Sequence, residues 1–211
     1  MRKSKIFIYL IAIFSLIWTQ PLKAANEPSL IPMQKDYIKQ DLETTPYYNS
    51  TERVKLEIQP LQGHLIDGKH HKLYSWTKRI FVIAADKKMY HLSSIRMFNL
   101  HHSSPVAGED VVFAGNVKFR NGKIISIDNF SGHYVPNDIH FFNALIYLNS
   151  RGVLSESVKI FVTTEGVNTP PILVGNYEDF ISFFKSKNPN LFKIHLCLKN
   201  YSSPYLHYKR M

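Results

Sequence analysis

The chain has 211 residues, with 26 Lys and Arg against 16 Asp and Glu, a length that suits one domain once a leader is set aside. Aromatic residues make up 13%, enough for a packed core, which excludes a disordered chain, and a single cysteine, Cys197, excludes an internal disulfide framework. The cations are spread along the chain without a block, which argues against a nucleic-acid partner.

Arg2, Lys3 and Lys5 precede an apolar run from Ile6 to Trp18, and Gln20-Pro21-Leu22-Lys23-Ala24-Ala25 follows. A charged start, a short apolar stretch and a small-residue site are the parts of a secretory signal peptide. The expected leader is residues 1–24, with cleavage after Ala24. The apolar run falls short of the roughly 20 residues of a spanning helix, and no second long apolar run appears. The expected product is a soluble protein, secreted or periplasmic. With Arg2, Lys3, Lys5 and Lys23 gone, 22 basic residues stand against 16 acidic ones.

Residues 25–50 read as a lead-in broken by Pro28, Pro32 and Pro46, with a short helix across Gln34 to Leu42. A single domain then fills 51–211. Thr51 to Pro60 alternates, with Val54, Leu56 and Ile58 against Arg53, Lys55 and Glu57, and predicts a half-buried strand ended by Pro60 and Gly63. Gly63 to Leu73 reads as a polar connection with a turn at Gly68. Arg79 to Ala85 and Met89 to Leu92 form a strand pair around Asp86-Lys87-Lys88. The continuous apolarity of Ile80 to Ile83 predicts a central strand.

Val111 to Arg120 and Lys123 to Asp128 flank Asn121-Gly122, a strong hairpin signal. A two-residue loop pairs Phe119 with Ile124 and leaves Ile125 and Ile127 on the polar face. A three-residue loop pairs Phe119 with Lys123, with Gly122 in a left-handed bulge. It gathers Val117, Phe119, Ile125 and Ile127 on one face, and is the register expected. A helix follows at about 137–151, capped by Asn137 or Asp138, with Ile139, Phe142, Leu145 and Ile146 at helical spacing and Gly152 just past its end. Val158 to Thr163 reads as a strand, Gly166 to Gly175 as a loop, Tyr177 to Lys187 as a second helix and Leu191 to Leu198 as a strand. The fold class is α+β: a mainly antiparallel sheet built from hairpins, with two helices (about 137–151 and 177–187) packed on it.

The chemistry gathers between His101 and Pro136. His133 and Tyr134 follow Gly132 where a strand gives way to a helix; the imidazole can move a proton near neutral pH and the phenol can donate a hydrogen bond. Their bland reading is a tether between hairpin and helix. His101-His102-Ser103-Ser104 matches no nucleophile elbow, and adjacent His residues in a strand would face opposite ways; Ser103 and Ser104 read as closing a turn. Glu109, Asp110, Asp128 and His140 lie within the same stretch, but none falls at metal-ligand spacing with a histidine, so no metal is expected. Gly108 and Gly115 do not make a phosphate-cradling loop, and no cofactor is expected. The candidate catalytic residues are His133, Tyr134, His102 and Ser103.

These segments resemble a module found in plant IQ-motif-containing proteins and in effector- or toxin-like proteins of bacteria and fungi. The resembling elements are His102-Ser103-Ser104, Ala107-Gly108, Ala114-Gly115, Asn121-Gly122-Lys123 and Ser131-Gly132-His133-Tyr134 with Pro136, within a match from about Glu52 to Val162. The module usually has Glu after its second Ala-Gly; Asn116 stands there, so any role of that Glu does not carry over. Nor does the calmodulin binding of the plant proteins, whose IQ motif lies outside the module: Ile58-Gln59 runs straight into Pro60. The resemblance implies an exported effector- or toxin-like protein without specifying a reaction. The alternatives are a transferase or hydrolase with His133 as acid–base, and a non-catalytic envelope binding protein.

Overall fold

The computed structural model describes residues 29–93, 99–163 and 171–187. The predicted leader, the strand Leu191 to Leu198 and Cys197 lie outside the described residues. In chain order the elements are α1 (Lys35–Thr44), α2 (Ser50–Arg53), β1 (Glu57–Leu61), β2 (His64–Ile66), β3 (Arg79–Ala84), β4 (Met89–Ser93), a 3-10 turn (Ser104–Val106), β5 (Val111–Arg120), β6 (Lys123–Asp128), α3 (Asp138–Ser150), β7 (Leu154–Val162), β8 (Ile172–Gly175) and α4 (Tyr177–Lys187). The strands form one sheet in the order β2-β1-β4-β3-β5-β6-β7-β8. Every pairing is antiparallel except β6 with β7. The protein is α+β, a mixed and mostly antiparallel sheet with α3 and α4 packed on it.

Period-two alternation splits the core between the two faces of the sheet. Phe81, Ile83, Phe113, Val117, Phe119, Ile124 and Ile127 face α3 and α4, where Phe141, Leu145, Phe180 and Phe184 meet them. Phe142 stacks on Phe184 with ring centroids 4.1 Å apart. Ile80, Val82, Tyr90, Leu92 and Ala114 face the other way and pack against Ile31, Val106 and Tyr134. The lead-in, the 3-10 turn and the loop after β6 thus cover a second core.

Several expectations change in the structure. Ser50–Arg53 is helical, because Asn49 accepts from the amides of Thr51 and Glu52 while Glu52 accepts from the Asn49 amide. This reciprocal capping box overrides the alternation read there, and the strand starts only at Glu57. Pro60 lies inside that strand opposite Leu65. Leu65 sends its N–H to Gly122 and accepts from Leu73, so the proline is asked for no ladder bond. The connection after Gly63 contains the short strand β2, and the loop before Gly175 contains β8. On α3 the buried stripe is Phe141, Phe142, Ala144, Leu145 and Leu148; Ile139, in the first turn, is exposed.

The hairpin register also differs. Arg120 pairs with Lys123 and Phe119 with Ile124, so the loop has two residues. Both Asn121 (φ 49°) and Gly122 (φ 72°) are left-handed, the type I′ combination that suits the twist of the strands. A Cβ on Gly122 would sit 2.9 Å from the Leu65 carbonyl oxygen. The bulge lies further on: the next pair is Lys118 with Ser126, and Ile125 is skipped. That extra residue returns Ile127 to the apolar face beside Val117.

Candidate functional site

The one parallel pair among the described strands points to where a site belongs. β6, α3 and β7 form a strand–helix–strand crossover, which parallel neighbours require, and crevices outside the carboxyl ends of such strands are where ligands settle in open α/β sheets. Asp128 ends β6 with Asn129 next to it, Thr163 directly follows β7, and Ser131-Gly132-His133-Tyr134 is the loop that leads into α3. Asn137 caps that helix through the amides of Ile139 and His140.

Asp128 is 1% exposed and holds an ion pair with Lys78 at 2.7 Å. Burying a carboxylate is costly unless it is paired and hydrogen-bonded, and its other oxygen accepts from the Asn116 amide N–H (3.1 Å), the Asn116 side-chain amide (2.8 Å) and the Phe130 N–H (3.1 Å). Asn116 therefore acts as a donor toward a carboxylate. A Glu at this position would bring a second acceptor against Asp128. The half-exposed Lys78 ammonium also lies 5.8 Å from the Phe161 ring centroid. Gly115 is needed for the approach of β5 to this centre, since a Cβ there would stand 2.0 Å from the Asp128 carbonyl oxygen.

Asn129 ties the two strand ends together. Its side-chain Oδ1 accepts from the Thr163 N–H at 2.7 Å, and its Nδ2 donates to the Pro136 carbonyl at 3.0 Å. The Thr163 hydroxyl is buried with no hydrogen-bond partner among the described residues.

The structure brings the His-Ser-Ser and Ser-Gly-His-Tyr segments together beside this centre. His101 and His102 lie in a turn and not in a strand. Ser104 Oγ accepts from the His101 N–H at 3.0 Å, and the 3-10 turn ends on Ala107 and Gly108, both left-handed. His102 is buried, with Nε2 3.0 Å from the Gly115 carbonyl; that carbonyl fixes Nε2 as the protonated nitrogen. Burial pushes the His102 imidazole down to about 4, so it is neutral at physiological pH. Ser103 is fully buried, and its carbonyl accepts from Val106 and Gly108.

The ring of His133 packs on that of His101, centroids 4.4 Å apart, and its carbonyl accepts from Gln34 at 2.8 Å. His133 is 7% exposed. Tyr134 is buried in the second core and donates its hydroxyl proton to the Glu109 carbonyl at 2.8 Å. Val135 follows with φ 44°, a region that β-branched residues rarely occupy.

All four predicted site residues thus lie at one junction, but His102 bonds to the backbone of β5, and Ser103 and Tyr134 to backbone groups of the turn and loop between residues 103 and 110. The residues that sequence reasoning passed over are Lys78 and Asn129. Asp128 was weighed only as a metal ligand, and among the described residues no cluster of His, Cys, Asp or Glu could hold a metal ion. A lysine just ahead of an apolar strand and an Asp-Asn pair at a strand end are weak signals until the sheet order places them together.

Residues 47–141 match the IQ motif-containing protein middle domain, a stretch that holds both motifs and ends in the first turn of α3. The chain is 29% identical over 153 residues to the IQ domain-containing protein IQM3 of Arabidopsis thaliana, covering 70% of this chain and 32% of that protein. It is 25% identical over 139 residues to IQM5 of the same plant, covering 61% and 28%, and 33% identical over 91 residues to IQM2, covering 43% and 15%. The chain thus spans about a third or less of the length of these relatives. No solved structure matches it. The chain shares the IQM middle domain with the plant IQ domain-containing proteins, as a distant homologue of them.

Proposed function

We propose that this chain is an exported protein of the effector-like kind that works by binding, with the His-Ser-Ser and Ser-Gly-His-Tyr segments building its frame. The observation that carries this reading is the commitment of Tyr134 and His102 to the backbone: each is buried, and each spends its polar group on a carbonyl, of Glu109 and of Gly115. Export is supported by the charged start, apolar run and Ala24-Ala25 site of the sequence. The likeness to effector- and toxin-like proteins of bacteria and fungi rests on the same two motifs.

The test pairs stability with phenotype. In a deletion strain complemented with Tyr134→Phe or His102→Gln, the phenotype is expected to follow the fraction of folded protein, and mass spectrometry of the exported chain is expected to find Ala25 first. A variant that keeps its melting temperature yet loses the phenotype would overturn the binding reading. A chain retained with residues 1–24 would overturn export.

The second reading, an acid–base enzyme, is favoured by the His101–His133 ring pair beside the Lys78–Asp128 centre. His133→Gln is its discriminating variant: a folded protein whose turnover falls by 100-fold or more supports catalysis, and unchanged function rejects it.

A further inference from the structure

Among the described residues, the face of the sheet opposite α3 and α4 is not covered along its whole length. The second core closes over β3, β4 and the start of β5, where Ile31, Val106 and Tyr134 sit. Beyond it the pairing runs straight across three strands: Lys118 pairs with Ser126, and Ser126 with Lys159. Residues in one such row share a face. Lys118 alternates with the buried Val117 and Phe119, and Lys159 with the buried Val158 and Ile160, so this row points away from the helices. Adjacent strands lie about 4.8 Å apart, which spaces the two lysines at roughly 10 Å along the row. Arg120, two residues on from Lys118, is exposed on the same side. Lys118, Arg120 and Lys159 make no ion pair among the described residues.

An aromatic ledge borders this row. Ser75 sends its N–H to the Phe119 carbonyl and takes the Phe119 N–H on its hydroxyl, and Leu73 accepts from Gly122. Residues 73–75 thereby run along the end of β5, which brings Tyr74 and Trp76 to the end of the sheet that carries Lys118 and Arg120. Their rings are 5.1 Å apart at 76°. Trp76 is 76% and Tyr74 50% exposed, an unusual outlay of large aromatic surface on a protein with a filled core.

We propose that this face binds an acidic polysaccharide, the Tyr74–Trp76 ledge stacking against a sugar ring while Lys118, Arg120 and Lys159 meet its carboxylates. The charge is of one sign across the row, which fits an anionic partner. Ser155 and Ser157, on the same strand as Lys159 with their hydroxyls 3.3 Å apart, offer donors and acceptors to a hydroxyl-rich ligand. Single-stranded nucleic acid uses successive aromatic platforms for successive bases; a perpendicular pair gives one stacking plane and one wall, which suits a single ring.

The inference rests on the binding reading above, and its test separates the two. The purified protein is titrated with polygalacturonate, with neutral dextran and with single-stranded oligo-dT by isothermal calorimetry at low and moderate salt. Polygalacturonate is expected to bind, more weakly as salt rises, and dextran is not. Trp76→Ala and Lys118→Glu/Arg120→Glu, with Trp76 and Arg120 exposed and Lys118 half-buried, are expected to weaken binding at least tenfold with melting temperatures unchanged. Absence of polygalacturonate binding, binding indifferent to these variants, or tighter binding of oligo-dT would each overturn the proposal. Release of reducing ends from polygalacturonate, dependent on Trp76, would support the surface and overturn the non-catalytic reading instead.

Discussion

Val135 keeps φ at 44° directly after Tyr134, where an L-residue with a branched Cβ pays a steric cost of roughly 1–2 kcal/mol. The turn is over-determined by its neighbours: the Val135 N–H bonds to the Ser131 carbonyl, the Tyr134 hydroxyl to Glu109 and the His133 carbonyl to Gln34. Val135→Gly is therefore expected to stabilise the protein by about 1 kcal/mol, raising the melting temperature by roughly 2–4 °C. A fall on thermal denaturation would mean that contacts of the half-exposed side chain outweigh the strain. His102 sets a pH dependence of definite sign. Its folded-state value of about 4, lowered by burial, lies under the ordinary 6.5. Between those values the unfolded chain takes up a proton that the folded chain refuses, so stability is full above pH 6.5 and falls as the pH drops toward 4. The loss is on the order of 2–3 kcal/mol. His102→Gln can still donate to the Gly115 carbonyl but cannot titrate, so its urea midpoint is expected to fall less steeply between pH 6.5 and 4 than that of the parent. His91, also lowered to about 4 by burial, leaves a residual slope in both. Parallel curves would remove His102 as the source.

Among the elements, the β5–β6 hairpin shows how far the sequence can be read and where it stops. Val111 to Arg120 and Lys123 to Asp128 were legible to the residue, because Asn-Gly separates two β-rich runs. The register was not, because a period-two argument takes alternation as unbroken, and a bulge at Ile125 breaks it. One consequence is a contrast between neighbours: Ile125→Thr is expected to cost less than about 1 kcal/mol, since Ile125 is the skipped, half-exposed residue. Ile127→Thr, on a fully buried side chain facing the helices, is expected to cost about 2–4 kcal/mol for lost methylene burial and an added hydroxyl. Equal costs in urea denaturation would place the bulge elsewhere. The strands β2 and β8, of three and four residues, gave no period to read, and Pro170-Pro171 beside Gly175 has the composition of a loop. The site was half legible for a related reason. Local chemistry marked His133 and Tyr134, whereas the meeting of Lys78 with Asp128, 50 residues apart, depends on the β3–β5–β6 order, which no local pattern encodes.

For the molecule as a whole, the second core depends on residues that precede or open the family match, which starts at residue 47. Ile31 is 4% exposed and exchanges two backbone hydrogen bonds with Val111, at 2.7 and 3.1 Å. Gln34 donates to His133 and Tyr48 to Ser104. Burial of an isoleucine contributes roughly 1.5–3 kcal/mol and each such bond about 0.5–1.5, gains offset in part by ordering the segment. Removing it also uncovers Val82, Val106 and Tyr134, so the loss has a second arm: an apolar patch on the open face of the sheet. Against a total stability of about 5–15 kcal/mol for an ordinary domain, a chain starting at Thr51 is expected to show a much lower urea midpoint than one starting at Asn26. It is also expected to bind the apolar dye ANS in buffer and to aggregate on concentration. The chain from Asn26 keeps every contact of Ile31, Gln34 and Tyr48 and is expected to melt like the full chain. If both truncations unfold at one midpoint, the segment rides on the sheet without supporting it, and the hold of Gln34 on the His133 loop has no energetic weight.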